Sequence, residues 1–330
     1  MENRICIDWL SFTTKIHSIS SILSVLGMED CTFESLTGRY GYRDRLHFNG
    51  VNILYNGREN MGLCVEMSGS GCRTFEEFGN GDYFSIFDEI RDNYNENKEL
   101  RQMNITRIDI AYDDFNDVLD LDLLAQETIN RHYSSRFKEY QVIVSNKGNA
   151  VNHGSMSSKI YIRFYDKRKQ MQVEDKIPHW VRAEVQIRAE NAYGFICLDE
   201  PIEEKYFHVL NRYLRYIEPC GNTTNLSEVA TADYWLKFIE NEEQRAIYCK
   251  PADDYTFLNL QSFVLSQVSG SISTYIDVVG VDTFLQDIYN AREGKPLNTK
   301  YKSIKDKTCS PGSGILEYLE AHGLNKKKGC

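Results

Sequence analysis

Four segments of the chain alternate apolar and polar residues at every second position, and this alternation constrains the fold more than any other feature. They are LCVEMSG (63–69), TRIDIAYD (106–113), IYIRFYDKRK (160–169) and VRAEVQIRA (181–189). A period of two is that of a β-strand, which turns successive side chains to opposite faces. In the third segment Ile160, Ile162 and Phe164 oppose Tyr161, Arg163, Tyr165 and Lys167. The polar sets of the others are Cys64, Glu66 and Ser68; Arg107, Asp109, Ala111 and Asp113; and Arg182, Glu184, Gln186 and Arg188. If these strands share one sheet, the apolar faces pack on helices. The opposite face then gathers Glu66, Asp109, Asp113, Glu184, two tyrosines and several cations.

The intervening sequence fits that sheet. Residues 5–13, ICIDWLSFT, alternate and are rich in β-formers, whereas 18–28 carry helical apolar spacing. Asn49-Gly50 and Asn56-Gly57 signal hairpins. Residues 61–73, MGLCVEMSGSGCR, read as a strand ending in a glycine–serine turn. FSIFDEIRDNYNEN and LDLDLLAQETINRHY read as helices, and EYQVIVSN as extended. The expected fold is α+β, a largely antiparallel sheet with helices on one face. From about Glu203 helical patterns dominate, and the last part holds the densest basic stretch, KPLNTKYKSIKDKT. The expected division is a catalytic domain over 1–204 and a mainly helical domain over 205–330, with a basic segment that includes Lys300 and Lys302.

Composition narrows the function. The chain has 330 residues, 42% hydrophobic and 26% charged, as in soluble globular proteins. Asp8 interrupts the apolar start that a signal peptide needs, and no apolar run reaches the length of a membrane span, so a cytoplasmic protein is expected, with no membrane partner. Nine scattered cysteines without a C-x-x-C pair favour reduced, packed thiols over zinc or disulfides. The histidines form neither H-x-H nor H-E-x-x-H. A net charge of −10 argues against a protein that coats nucleic acid, but not against an enzyme with a locally basic groove.

For any one strand, a polar face is ordinary wet surface. Carboxylates recurring strand by strand are different, because they repel unless a cation lies between them. Glu66, Asp109 and Glu184 are oxygen donors without His or Cys company, which suits Mg²⁺ or Mn²⁺. Arg107 is the alternative partner for Asp109. Tyr165 with Lys167 could then act as nucleophile and charge stabiliser beside such a site. A tyrosyl phosphodiester conserves the energy of the broken bond, so the chemistry implied is reversible nicking of DNA, with a 5′-phosphotyrosine and a free 3′-hydroxyl. With 21 tyrosines in the chain, no single one stands out without such neighbours.

RIDIAYD, GSMSSKIYIRFYDKRKQ and RAEVQIR, in this order and spacing, resemble the replication initiation factor (trans-acting Rep) family of rolling-circle plasmid initiators and related relaxases of integrative conjugative elements and phages. IDWLSFT and VEMSGSGCR are similar to its relaxase branch, and KPLNTKYKSI to a basic stretch of the family. The resemblance covers most of residues 5–195 and implies a fold similar to the HUH-type nickases, with carboxylates in place of the histidine pair. It implies Tyr165 as nucleophile, Lys167 as the family lysine, and Glu66, Asp109 and Glu184 as metal-binding positions. Two positions depart from it: Gln170 stands where Y-x-K-x-x-E has its acid, and Gln186 where E-x-E has its second. The implied partner is origin DNA, single-stranded at the nick, with a helicase and a homodimer as further partners. Arg163, Arg182 and Arg188 could line a phosphate track or merely neutralise the carboxylates, and Lys300 and Lys302 could grip DNA. The rival readings are a DNA-binding protein that has lost nicking, and a sheet face that docks partner proteins.

Overall fold

The alternating segments do form one sheet. The computed structural model describes residues 1–146, 148–219, 225, 226, 228–240, 246–248, 257, 260, 261, 264–293 and 314–323. Its first half contains β1 (Arg4–Thr14), α1 (Ile19–Leu26), β2 (Glu34–Thr37), β3 (Asp44–Phe48), β4 (Val51–Tyr55), β5 (Leu63–Met67), α2 (Gly69–Phe78), α3 (Tyr83–Asp92) and β6 (Met103–Asp114). Then come α4 (Leu121–Ile129), β7 (Tyr133–Ser135), β8 (Tyr140–Ile143), β9 (Ala150–His153), β10 (Ile160–Asp166), α5 (Lys167–Met171), β11 (Val181–Arg188), α6 (Glu190–Cys197), α7 (Ile202–Tyr213), β12 (Leu214–Tyr216), α8 (Asp233–Glu240) and β13 (Ala246–Tyr248). Ten strands run in the order β2-β3-β4-β5-β1-β6-β11-β10-β9-β8, every neighbour antiparallel. β13 adds a parallel pairing to the start of β1, and β7 pairs with β12 apart from this sheet.

Local chemistry sets the boundaries. Ser18 caps α1 through a capping box with Ser21, and Gly27 closes it in the left-handed conformation. Asn49 and Gly50, both at positive φ, make the tight β3–β4 hairpin. In β1 the core residues are Ile5 and Ile7, then Leu10 and Phe12; a bulge at Asp8 shifts the phase so that both pairs face inward. Against them and against Ile108, Ile110, Ile162, Phe164, Val185 and Ile187 pack Phe75 of α2, Ile86 and Ile90 of α3, Leu124 of α4, Phe195 of α6 and Leu210 of α7. Each such side chain contributes about 1.5–3 kcal/mol by leaving water.

Three expectations are corrected. Residues 69–73 are not a turn but the start of α2, which leaves β5 directly. Gly71 serves close approach: a Cβ there would lie 2.2 Å from the Gly50 carbonyl oxygen. The strand carrying Tyr165 ends at Asp166, whose carboxylate caps α5, so Lys167 begins a helix instead of continuing the strand. The chain also separates into compact units at Met1–Cys249 and Lys250–Cys330, not at residue 204. Helices α7 and α8 stay with the sheet because Tyr206 donates to the Ala183 carbonyl (3.0 Å) and buried Trp235 meets Phe164 edge-on. In the second unit, helices Ser269–Val279 and Val281–Arg292 are joined by hydrogen bonds from Tyr275 to Asp287 and, with helix Ile315–Ala321, from Tyr318 to Asp282. No helix among the described residues is long and apolar enough to cross a membrane.

Candidate active site

Strand register turns the polar face into rows of facing side chains. One row runs Arg4 (β1), Asp113 (β6), Arg182 (β11), Tyr165 (β10). The next runs Cys6, Ala111, Glu184, Arg163, Asn152, and the third Trp9, Asp109, Gln186, Tyr161. The fourth runs Asn52, Glu66, Ser11, Arg107, Arg188. This face is not the wet surface that alternation alone suggests. Asp109 and Glu184 are each 2% exposed and Tyr165 is 9% exposed.

Buried charge has to be paired, and here it is. The Tyr165 hydroxyl donates to Glu184 Oε2 at 2.9 Å, and Arg163 donates to Oε1 of the same carboxylate at 2.5 Å. Arg163 and Lys167 lie over the Tyr165 ring at 5.3 and 5.6 Å. Arg107 grips Asp109 with two hydrogen bonds of 2.8 and 2.5 Å. Asp113 is the anchor of the first row: it accepts from Arg182 (2.6 and 2.8 Å), Trp180 (2.7 Å) and Arg4 (2.9 Å).

These contacts set the protonation states. Burial, then the Glu184 carboxylate, pushes the Tyr165 phenol well above its usual range, so the nucleophile candidate is a neutral phenol that needs a base. Burial works against ionised Glu184, but the Arg163 guanidinium outweighs it and holds that carboxyl below its usual range. Asp109 goes the other way, pushed up to about 7 by burial and, despite Arg107, by neighbouring Glu184. Burial and the Arg182 charge lower Lys167.

The structure therefore brings Tyr165, Lys167, Glu184, Arg163 and Arg182 together, with Asp109 beside Glu184. Glu66 stands apart: β1 lies between its strand and that of Asp109, and its carboxylate is paired with Arg39. Among the described residues, no three His, Cys, Asp or Glu side chains converge as a metal cluster. Gln186 explains part of this, because a neutral amide faces Asp109 in the register and donates instead to the Met156 carbonyl at 3.1 Å. Gln170 accepts from Lys167 Nζ at 2.7 Å. The donor set that remains, two neighbouring buried carboxylates, still fits Mg²⁺, which is commonly held by one or two carboxylates plus substrate phosphate and water. Arg188 lies on the fourth row. Lys300 and Lys302 fall outside the described residues.

Sequence reasoning missed Asp8, Arg39 and Tyr40. Asp8 leaves the strand phase at its bulge and pairs with Arg182 at 2.7 Å. Arg39 and Tyr40 belong to the 38–43 loop between β2 and β3, which reaches over the polar face, and a loop's reach has no periodic signature. The one local hint is the Gly38/Gly41 pair flanking an arginine and a tyrosine.

A family profile described as replication initiation factor matches residues 103–288, and one described as the N-terminal domain of rolling-circle replication initiation proteins matches residues 4–91. The chain is 25% identical over 269 residues to the Bacillus subtilis (strain 168) protein named "Putative DNA relaxase NicK", covering 76% of this chain and 74% of that one. It is also similar to the solved rolling-circle replication initiator protein of Geobacillus stearothermophilus, at 27% identity and a TM-score of 0.66, over 75% of this chain and 99% of the other.

Proposed function

The chain belongs to the replication initiation factor family, and from that premise we propose that it nicks one strand of DNA at a specific site through Tyr165, starting rolling-circle replication or conjugative transfer. The observation that carries this reading is the hydrogen bond from the Tyr165 hydroxyl to Glu184 Oε2. In the proposed step Tyr165 Oη attacks the scissile phosphorus while its proton passes to Glu184. The bond from phosphorus to the 3′-oxygen breaks, leaving a 5′-phosphotyrosine. The departing 3′-oxygen takes a proton from Lys167, whose lowered pKa makes it a better acid. Arg163 and Arg182 stabilise the charge that grows on the phosphoryl oxygens. Reversal of the same steps reseals the strand.

Asp109 and Glu184 would hold Mg²⁺ or Mn²⁺, which would polarise the scissile phosphate. Arg107 pairs with Asp109 and Arg163 with Glu184. A helicase working from the free 3′-end and a second copy of the chain fit the same reading as partners.

Supercoiled plasmid carrying the cognate site, incubated with Mg²⁺ or Mn²⁺, tests the proposal. Wild type should give open circles and a covalent protein–DNA adduct. Tyr165→Phe, or EDTA, should abolish both, and an adduct that survives Tyr165→Phe would refute the assignment. Binding without any cutting by wild type would favour the rival reading of a DNA-binding protein that has lost nicking. The neutral Gln170 and Gln186 in positions where acids are expected give that rival its support.

A further inference from the structure

The fourth row of the polar face carries more positive charge than the site needs. Arg107 and Arg188 stand directly opposite each other on β6 and β11, an arrangement that like charges disfavour. Arg107 is matched by Asp109, and Arg39 by Glu66. Arg188 has no such match: its guanidinium makes no hydrogen bond or ion pair among the described residues, and its Nε is buried without a partner. Burial and the Arg107 charge lower its pKa. Three guanidinium groups thus face two carboxylates, leaving one cation unanswered.

The 38–43 loop reaches the same face, where its Arg39 pairs with Glu66 of the fourth row. The loop closes on itself through a hydrogen bond from Gly38 N to the Arg43 carbonyl at 2.8 Å. Its tip places Tyr40 at φ +56, in the left-handed region that non-glycine residues rarely adopt. The Tyr40 phenol lies within electrostatic reach of Arg188. Arg39 lies over the Tyr40 ring at 5.3 Å, itself held by Glu66, yet Tyr40 remains 69% exposed. An exposed aromatic ring and an unanswered guanidinium on one face match the two needs of a nucleotide, a surface for its base and a cation for its phosphate.

We infer that Tyr40 and Arg188 form a subsite for one nucleotide of single-stranded DNA, with the base stacked on the Tyr40 ring and the phosphate on Arg188. The inference rests on the nicking reading for its biological setting only. Arg188 lies six residues along β11 from Arg182, the neighbour of Tyr165, so the subsite sits about 20 Å from the nucleophile at ~3.3 Å per residue. It would hold the strand a few nucleotides from the cut, so that the flank of the nick is retained while the bond is open. Stacking is tolerant of sequence, so the subsite acts on any base and leaves site selection to other contacts.

The probe is a fluorescein-labelled oligothymidylate, titrated in EDTA so that binding is read without cutting. Tyr40→Ala should weaken binding about tenfold, and Tyr40→Phe should restore it, because the ring and not the hydroxyl carries the stacking. Arg188→Gln should reduce the salt slope of the binding constant by about 0.7, the loss of one phosphate contact. Wild-type affinity in Tyr40→Ala, a Tyr40→Phe protein as weak as Tyr40→Ala, an unchanged salt slope in Arg188→Gln, or no affinity of wild type for the probe would each overturn the subsite. The two readings fail separately. A protein that shows these shifts but never nicks plasmid keeps the subsite and refutes the nickase; one that nicks while Tyr40→Ala binds normally does the reverse.

Discussion

Glu184 has two neighbours that ask opposite things of it. Tyr165 needs a base, which favours a higher pKa, while Arg163 stabilises the carboxylate and lowers it. Arg163 prevails, so Glu184, the proposed base, is ionised throughout the neutral range and should itself give no acid limb in nicking rate until below the ordinary glutamate value; a limb near 7 would belong to Asp109. Glu184→Gln keeps the shape and removes the base. Its nicking rate, measured on a single-stranded oligonucleotide, should fall about 10²–10⁴-fold with DNA retention largely kept. Asp113 offers a sharper measurement of electrostatics. It is fully buried, and despite burial Arg182 and its other donors lower it to about 2. A lowered carboxyl gives stability that is present above its unfolded value near 3.8 and is lost as pH falls through about 2. Asp113→Asn should therefore melt well below wild type at pH 7, by about 3 kcal/mol, because buried Arg182 then keeps only Asp8 as a counter-charge. The gap should narrow as pH drops from 4 towards 2; a gap independent of pH would mean that shape and not charge is lost. Alternation alone placed Tyr165, Glu184, Asp109 and Arg163 on one face of the sheet, where the strand register has them. Asp8 was not, because a bulge moves it out of phase, and Glu66 was read as a partner of residues from which β1 separates it.

At the level of elements, the junction of β10 and α5 decides where the lysine goes. The sequence pattern continues through Lys167, but the Asp166 carboxylate accepts from the Lys169 amide and ends the strand. The change from strand to helix carries the Lys167 amine over the Tyr165 ring while its backbone leaves the sheet. Asp166→Ala removes this cap and the Arg168 ion pair with it. It should cost about 1 kcal/mol in denaturant unfolding, and it should lower the turnover rate more than it weakens DNA binding; equal effects on both would argue against a positioning role. Strand alternation survives tertiary packing because burying one face demands it, so β1, β5, β6, β10 and β11 were readable. Short, glycine-rich starts such as that of α2 were not, because the glycines there serve the close approach of Gly71 to the Gly50 turn, which no local pattern records.

For the whole molecule, the helical pattern after residue 204 suggested a separate domain, and the packing shows why pattern alone misleads. Helices that complete a sheet's apolar face look the same in sequence as helices of a separate domain. Trp235 is fully buried, meeting Phe164 and Phe238 edge-on and Tyr216 at a tilt. Trp235→Ala should cost about 3–5 kcal/mol, and a fragment of residues 1–249 should unfold cooperatively on heating where one of residues 1–204 does not. The order of the strands has a further consequence, for a chain still being synthesised. β1 is among the first segments made, yet its partner β6 lies 109 positions later at the Arg4–Asp113 pair. At roughly 5–20 residues per second, a nascent chain waits about 5–22 s before that pair can form. Tyr165 likewise precedes its hydrogen-bond partner Glu184 by 19 positions, so for about 1–4 s the ribosome carries the one without the other. Under the proposed mechanism, a growing chain gains the pair that would cut DNA only once β11 has been added.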